Sequence, residues 1–376
     1  MLAFIASSSD HNSDHPNFEM YRFFIVLLIT CTTPGMAAFA AGPSHDENPW
    51  QAILQWDNDL LTGSDRDYTN GARIALLRNL DPDESTHNWL QQALYQLSGA
   101  DPDAPIKQLR VPEQTARSFA WGFGLTQLMF TPEDPTALRA PAGQRPYASW
   151  LGLETSLHVK STHAATSATL AFGTTGKYSY GQQAQDWVHT NISGSPIFQG
   201  WDSQVPGQFT LNLHLDHQRR IQFLDATHDW PLEMNGYHEW GAALGNFRTE
   251  AYLGSLIRAG YRLPQTYGIP RVQIGSHGHA LFSPEQSGKG PFSIFGFAAL
   301  RAALVAHDIT LDGPLWRDVD TGVASLPWVG ELLLGLGIRW GYYELSLSRS
   351  YRSDEFSGQN KNQSFGSVML RADFPF

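Results

Sequence analysis

The chain has 376 residues and carries 25 basic and 36 acidic side chains, which gives a formal net charge of −11 at pH 7. This acidic balance, in a sequence with no basic patch, excludes nucleic acid as an expected partner. Beyond residue 40 no apolar run reaches the roughly 18 residues that indicate a membrane-spanning helix. The composition therefore also excludes a helical membrane protein.

The first 40 residues have the layout of a secretory signal peptide. A short basic start at residues 20–22 precedes an apolar run at residues 23–31, and Ala-Phe-Ala at residues 38–40 is a small-x-small cleavage site. The apolar run is shorter than the roughly 20 residues that a spanning helix needs. This pattern predicts export of the chain and removal of the segment.

We therefore predict that residues 1–40 are an N-terminal extension plus signal peptide, and that one domain covers residues 41–376. The start codon is expected at Met20, the alternative being an unusually long n-region. Cys31 is the only cysteine and falls inside the predicted signal. It is a poor lipoprotein acceptor because the preceding threonine is atypical, so the mature domain is expected to contain no disulfide.

Short stretches in which apolar residues alternate with polar or small ones recur along the predicted mature domain. The clearest lie at residues 121–129, 151–159, 209–215, 331–340 and 343–351. A period of two over about ten residues predicts a β-strand with one apolar face. That face is the core of a soluble sandwich, whereas in an outer-membrane barrel it faces lipid and the other face lines the interior.

The last residues favour the membrane barrel over the sandwich. Apolar residues alternate up to a terminal phenylalanine at Val368, Leu370, Ala372, Phe374 and Phe376. This is typical of the closing strand of a bacterial outer-membrane barrel, and the length corresponds to about 12 strands with their loops. We predict an all-β fold: a transmembrane antiparallel β-barrel of about 12 strands in the bacterial outer membrane, with short helices in its loops.

Two stretches are predicted to be helices outside the barrel wall. Residues 83–98 show helical spacing after a capping Asp or Ser, and residues 181–191 lack the period of two. In the second stretch Gln185 and His189 are four residues apart and project from the same helix face. Histidine can act as a general base near neutral pH, and the glutamine could orient a water. The alternative is that His189 caps or solvates a loop helix.

Residues 56–71 form a dense cluster of polar groups between two apolar, strand-like stretches. The group comprises Asp57, Asn58, Asp59, Asp65, Asp67, Thr69 and Asn70. A plain solvated loop would also favour Asp, Asn and Gly, because these residues suit turns. The segment is thus either such a loop or a functional site.

Two further segments accompany the polar cluster. Gly-Gln-Arg-Pro-Tyr-Ala-Ser-Trp occupies residues 143–150, and the Gln-x-x-x-His motif is followed by Gly-Trp-Asp-Ser-Gln at residues 200–204. Together, and in this order, the segments resemble the outer-membrane lipid A deacylases, the LpxR family. The resemblance runs from about residue 50 to the C-terminus.

The resemblance implies a set of active-site residues. The family's catalytic histidine corresponds to His189, with Gln185 on the same face, and its Asn-Asp pair and threonine correspond to Asn58, Asp59 and Thr69. The family is associated with calcium, and we expect Asp59 to hold it, because Ca²⁺ takes carboxylate and amide oxygens. The implied reaction is ester hydrolysis by water that the histidine activates beside the cation. The chain has no Gly-x-Ser-x-Gly motif, so a serine nucleophile has little support.

Arg145 is a candidate for substrate binding. Arginine suits phosphate recognition, and lipid A carries phosphates; the alternative is a rim arginine paired with an interior acid. The chain departs from the family at Gln144, where relatives tend to have Asp. It also lacks the acidic residue that some relatives carry shortly after the position of His189. The contacts that support the histidine must therefore differ, or the activity is weakened.

The predicted function is an outer-membrane esterase of 3′-O-deacylase type that removes an ester-linked acyl chain from lipid A. We expect a monomer whose partners are lipid A or lipopolysaccharide and outer-membrane lipids. Two alternatives remain open. One is a non-catalytic pore or structural barrel with a decayed site, and the other is a phospholipase-type barrel.

Overall fold

The structure is a computed structural model that describes residues 50–59, 67–80, 118–160, 163–221, 232–264, 266–268, 270–275, 279–280, 291–359 and 363–374. Several predictions from the sequence lie outside these residues. They are the signal peptide with its start at Met20 and Cys31, the helix over 83–98, and the terminal Phe376. Within the described part of the chain, no helix is long and apolar enough to cross a membrane.

Twelve antiparallel strands form a closed barrel, as the alternating stretches predict. Their bounds are β1 (Trp50–Asn58), β2 (Asp67–Leu80), β3 (Ser118–Thr131), β4 (Ala148–Lys160), β5 (Ala164–Thr175), β6 (Phe209–Arg220), β7 (Leu232–Gly245), β8 (Arg248–Tyr261), β11 (Phe292–Asp308), β12 (Trp328–Trp340), β13 (Tyr343–Arg352) and β14 (Gln363–Phe374). Strand β8 pairs directly with β11. The intervening strands β9 (Thr266–Tyr267) and β10 (His279–Ala280) are not part of the barrel wall and form a separate two-stranded sheet. Pairing of β1 with β14 closes the barrel.

The connections contain only short helices. Helix α1 (Gly181–Val188) continues into a π-helical turn (His189–Ser193), and 3₁₀ turns cover Gly176–Ser179 and Trp201–Ser203. Helix α2 (Ile309–Asp312) follows β11 and is capped by Asp308, whose side chain accepts a hydrogen bond from the Thr310 amide at 2.9 Å. Residues 183–197 belong to a compact unit separate from that of the barrel.

The outer face of the wall is apolar. On β12, Leu332, Leu334 and Leu336 are all exposed, the last by 68 %, whereas Glu331 before them and Leu333 among them are buried. In a water-soluble protein such a continuous exposed apolar face would be a liability. On a barrel it is the surface that contacts lipid tails.

The inner face of the wall carries polar side chains whose charges are paired with one another. The Arg73 guanidinium on β2 contacts the Glu154 carboxylate on β4 at 2.9 Å, and both side chains are fully buried. Thr126 on β3 donates to the second oxygen of Glu154 at 2.5 Å. Apolar residues outside and paired charges inside are the reverse of a soluble sandwich, so the sandwich alternative is wrong.

Exposed tryptophans lie at both ends of β12. Trp328 is 67 % exposed and Trp340 is 71 % exposed. The indole of Trp340 packs edge-on against Phe292 of the neighbouring strand, with 6.2 Å between ring centroids. Aromatic residues at both limits of an apolar band are typical of the girdles that lie at the two membrane surfaces.

The two ends of the barrel carry different connections. We call the end where β1 finishes and β2 starts the site rim. At the opposite end, the connection between β8 and β11 turns into the lumen. We call its described residues 263–264, 266–268 and 270–275 the plug segment. Leu263, Tyr267 and Val272 are buried there, with exposures of 0 to 3 %.

Candidate active site

The end of β1 brings three polar side chains to the site rim. Asp57, Asn58 and Asp59 are consecutive, and all three are buried, with exposures of 0 to 2 %. The Asp57 carboxylate accepts the hydroxyl of Tyr68 at 3.2 Å and the backbone amide of Val272 at 3.1 Å to each oxygen. A solvated loop does not bury such groups, so that interpretation is wrong for this part of the cluster.

Thr69 lies at an irregularity in the adjacent strand. The register of β2 against β3 shifts between Tyr68 and Asn70, which leaves Thr69 as an extra residue. Such a bulge bends the strand and redirects a side chain. The Thr69 hydroxyl shares a 2.6 Å hydrogen bond with the hydroxyl of Thr131. Because Asn58 pairs with Asn70, Thr69 and Asn58 lie on neighbouring strands at the same rim.

Arg145 is buried at the same rim and is already paired. Its Nη1 lies 2.5 Å from Glu355, its Nη2 donates to the Thr310 hydroxyl at 3.0 Å, and the guanidinium stacks over the Phe130 ring at 4.3 Å. This is the pairing with an interior acid that the sequence left open as an alternative. Phosphate binding by Arg145 stays a prediction.

Glu355 is the acidic centre of this rim, and the sequence pattern gave no reason to select it. Burial alone would raise the pKa of its carboxyl, but the guanidinium groups of Arg145 and Arg352 outweigh that effect and hold the pKa at about 2. Arg352 contacts the carboxylate at 3.3 Å. The carboxylate is therefore ionised throughout the neutral range.

The segments at 143–150 and 200–204 pack against each other. The Tyr147 ring lies 5.5 Å from the Trp201 ring, and its hydroxyl donates to the Ala137 carbonyl at 3.1 Å. Burial raises the pKa of Tyr147 to about 12, so the phenol stays protonated. A Cβ on Gly200 would come within 2.3 Å of the Tyr147 ring. Only glycine fits this contact, which explains the Gly-Trp pair.

Gln185 lies on α1 and His189 begins the π-helical turn, in agreement with the helix predicted over residues 181–191. Both side chains are buried, whereas Trp187 between them is exposed, so the two share one face. Nδ1 of His189 lies 2.7 Å from the Pro196 carbonyl oxygen. A carbonyl oxygen only accepts, so Nδ1 carries the proton and Nε2 of the neutral ring is an acceptor.

The turn after His189 is closed by glycine. The Gly194 amide donates to the His189 carbonyl at 2.9 Å, and Gly194 has a φ of 67°. That left-handed conformation favours glycine. The chain then reverses its direction, and this brings the Pro196 carbonyl oxygen next to the His189 ring. A backbone carbonyl thus occupies the supporting role for which the sequence offers no acidic residue.

The described residues at the end of β1 offer two side chains with oxygen atoms that could bind a cation. Asn58 and Asp59 provide an amide oxygen and a carboxylate, which are donors of the type that Ca²⁺ takes. Among the residues that the structure describes, no three His, Cys, Asp or Glu side chains are grouped to hold a metal. Any cation here would also need backbone or water oxygens, which Ca²⁺ commonly accepts.

Comparison with solved structures finds one with the same fold. LpxR from Salmonella typhimurium matches 87 % of this chain and 100 % of its own, with 17 % identity and a TM-score of 0.63. The beta domain of the Bordetella autotransporter BrkA matches 88 % of this chain and 99 % of its own, with 11 % identity and a TM-score of 0.38. At these identities the Salmonella match shows the fold alone.

Comparison with sequence families is more specific. No curated protein matches this chain significantly. The family model described as "Outer membrane protein LpxR" matches residues 23–374, which is most of the chain. The matched residues include every strand of the closed barrel. The chain belongs to the LpxR family of outer membrane proteins.

Proposed function

We propose that this protein hydrolyses an ester-linked acyl chain of lipid A at the outer membrane, as a 3′-O-deacylase. Family membership supports the substrate class, and the apolar outer wall supports access to a membrane lipid. The observation that carries the chemistry is the 2.7 Å contact of His189 Nδ1 with the Pro196 carbonyl. It fixes the tautomer in which Nε2 accepts a proton.

In the proposed reaction His189 is the general base. Its Nε2 accepts a proton from a water molecule, and the water oxygen bonds to the acyl carbonyl carbon. The tetrahedral intermediate collapses when the bond from that carbon to the sugar oxygen breaks. The proton on Nε2 passes to the sugar oxygen, and the products are a free fatty acid and a lipid A hydroxyl.

The other candidate residues have positioning or polarising roles. The family resemblance assigns Asn58, Thr69 and Gln185 to the same reaction, where amide and hydroxyl groups orient the water or donate hydrogen bonds to the developing oxyanion. Asp59 would hold a Ca²⁺ ion, which supplies Lewis-acid polarisation of a carbonyl when it is bound. Arg145 would contribute positive charge near the lipid A phosphates.

Purified, folded barrel incubated with lipid A and, in parallel, with a phospholipid tests this proposal. We expect release of fatty acid from lipid A only. Release from phospholipid alone would instead identify a phospholipase-type barrel, and no release from either substrate would favour a non-catalytic barrel.

A chelation series in the same assay tests the cation. We expect exhaustive chelation to abolish release and added Ca²⁺ to restore it, and we expect Asp59→Ala to need more Ca²⁺ than wild type. Full activity after exhaustive chelation would contradict the role of Asp59.

A further inference from the structure

The plug segment is tied to the lumen wall along its length. Its backbone amides donate to side chains of three different strands, β7, β6 and β4. The bonds run from Leu263 N to Glu233 Oε2 at 3.0 Å, from Gly268 N to Gln218 Oε1 at 3.1 Å and from Gly275 N to Glu154 Oε2 at 3.0 Å. Such a set of acceptors around the lumen fixes the segment in one position, because buried amides must be paired.

One attachment differs from the others, because it reaches the strand that carries the site. The Val272 amide donates to both oxygens of Asp57 at 3.1 Å, and the Gln55 amide group donates to the Arg271 carbonyl at 2.9 Å. Asp57 also accepts the Tyr68 hydroxyl at 3.2 Å. It therefore joins the plug segment to β1 and β2 at the residues that immediately precede Asn58 and Thr69.

A chain of ion pairs links the plug segment to the rim by a second route. Arg271 contacts Glu331 at 2.8 Å, and Arg352 contacts Glu331 and Glu355 at 3.3 Å each. Glu355 then pairs with Arg145 at 2.5 Å. All five side chains are buried or nearly so. The plug segment and the site rim are thus parts of one polar network.

We propose that the plug segment holds the end of β1 in its working geometry and that Asp57 is the positioning residue through which it does so. This inference rests on the proposed function. Site groups must be held to about 0.5 Å, and a displacement of about 1 Å can cost roughly 10²-fold in rate. Asp57 accepts both the Val272 amide and the Tyr68 hydroxyl, so its loss removes the tie of β1 and β2 to Val272 and leaves the Gln55 contact with Arg271 in place.

The test compares three variants in detergent-folded or membrane-folded full-length barrel, with rates normalised to the heat-modifiable, folded fraction. Asp57→Leu removes both acceptors at similar size, Asp57→Asn keeps one, and Gln218→Met removes the acceptor of the Gly268 amide, another plug attachment. We expect Asp57→Leu to lower kcat for lipid A about 10²-fold with KM within threefold. We expect a loss under tenfold for Asp57→Asn and a change under twofold for Gln218→Met.

Hydrogen–deuterium exchange of the peptide over residues 56–71 provides a readout that does not depend on activity. We expect faster exchange there in Asp57→Leu but not in Gln218→Met. Equal kcat losses in Asp57→Leu and Gln218→Met, or wild-type kcat and exchange in both Asp57 variants, would overturn the inference. If the variants show this exchange difference but the wild-type barrel releases no fatty acid from lipid A, the proposed function is overturned and the tie between the plug segment and β1 stands.

Discussion

At the scale of single residues, the contact between His189 and the Pro196 carbonyl determines which nitrogen can accept a proton. We expect His189→Ala to lose about 10²–10⁴-fold in deacylase kcat, which is the usual contribution of a general base. Asn58→Ala and Thr69→Ala should lose less, because these residues position or polarise rather than transfer a proton. Fatty-acid release by folded barrel measures these losses.

The matched control is Thr190→Ala, at the exposed residue next to the histidine. Its activity should stay near that of wild type, and heat-modifiable migration should be unchanged in every one of these variants. Wild-type release by the His189→Ala protein would contradict the assignment of the base.

Glu355 makes the stability of the folded protein depend on pH. Its pKa in the folded protein is about 2, below the ordinary 4.5, so its ion pairs stabilise the fold fully above pH 4.5. That contribution is lost as the pH falls from 4.5 to 2. We expect Glu355→Gln to unfold more easily at pH 7 by about 3–5 kcal/mol, because it leaves the charge of Arg145 buried without its partner.

Urea unfolding of both proteins between pH 7 and pH 2 measures this effect. The difference in unfolding free energy between wild type and Glu355→Gln should shrink as the pH falls. A difference that stays constant over this range would contradict the pairing.

At the scale of elements, the outward face of β12 tests whether the barrel lies in a membrane. Leu336 is 68 % exposed near the middle of that strand. In a lipid bilayer Leu336→Arg should lower the free energy of unfolding by about 2–4 kcal/mol. Leu336→Ala is the control for lost apolar area and should cost less. A neutral Leu336→Arg variant would indicate that this face contacts water.

The strands were predictable because their signal is local. On β12 the leucines at every second position mark one face regardless of what the rest of the chain does, and α1 follows from the lack of such alternation around Gln185. The contacts that build the site are not local. Val272 reaches Asp57 across 215 residues, and Arg145 reaches Glu355 across 210. No period or spacing in the sequence encodes such pairs.

Two features of the site had no side-chain signal at all. The support of His189 comes from a backbone carbonyl, at Pro196, and every residue has one. The bulge that makes Thr69 an extra residue is a difference in register between β2 and β3. The resemblance to a family gave His189 and Thr69, whereas the Pro196 contact and the bulge are visible only in the structure.

At the scale of the whole molecule, the lumen is crossed by the plug segment and by buried ion pairs. A cavity among the described residues there has a volume of about 100 Å³ and is lined by residues such as Tyr68, Arg248 and Arg301. That space suits a few water molecules. We expect purified barrel in planar bilayers to show no stable conductance. Regular channel openings would support the pore alternative.

The reaction proposed for this barrel is the removal of an acyl chain from lipid A. Mass spectrometry of lipid A from cells that express the wild-type chain, the His189→Ala chain or neither tests it most directly. We expect lipid A lighter by the ester-linked acyl group in wild-type cells only, with both proteins present in the outer-membrane fraction. Identical lipid A in all three cultures, despite correct insertion of the barrel, would contradict the account.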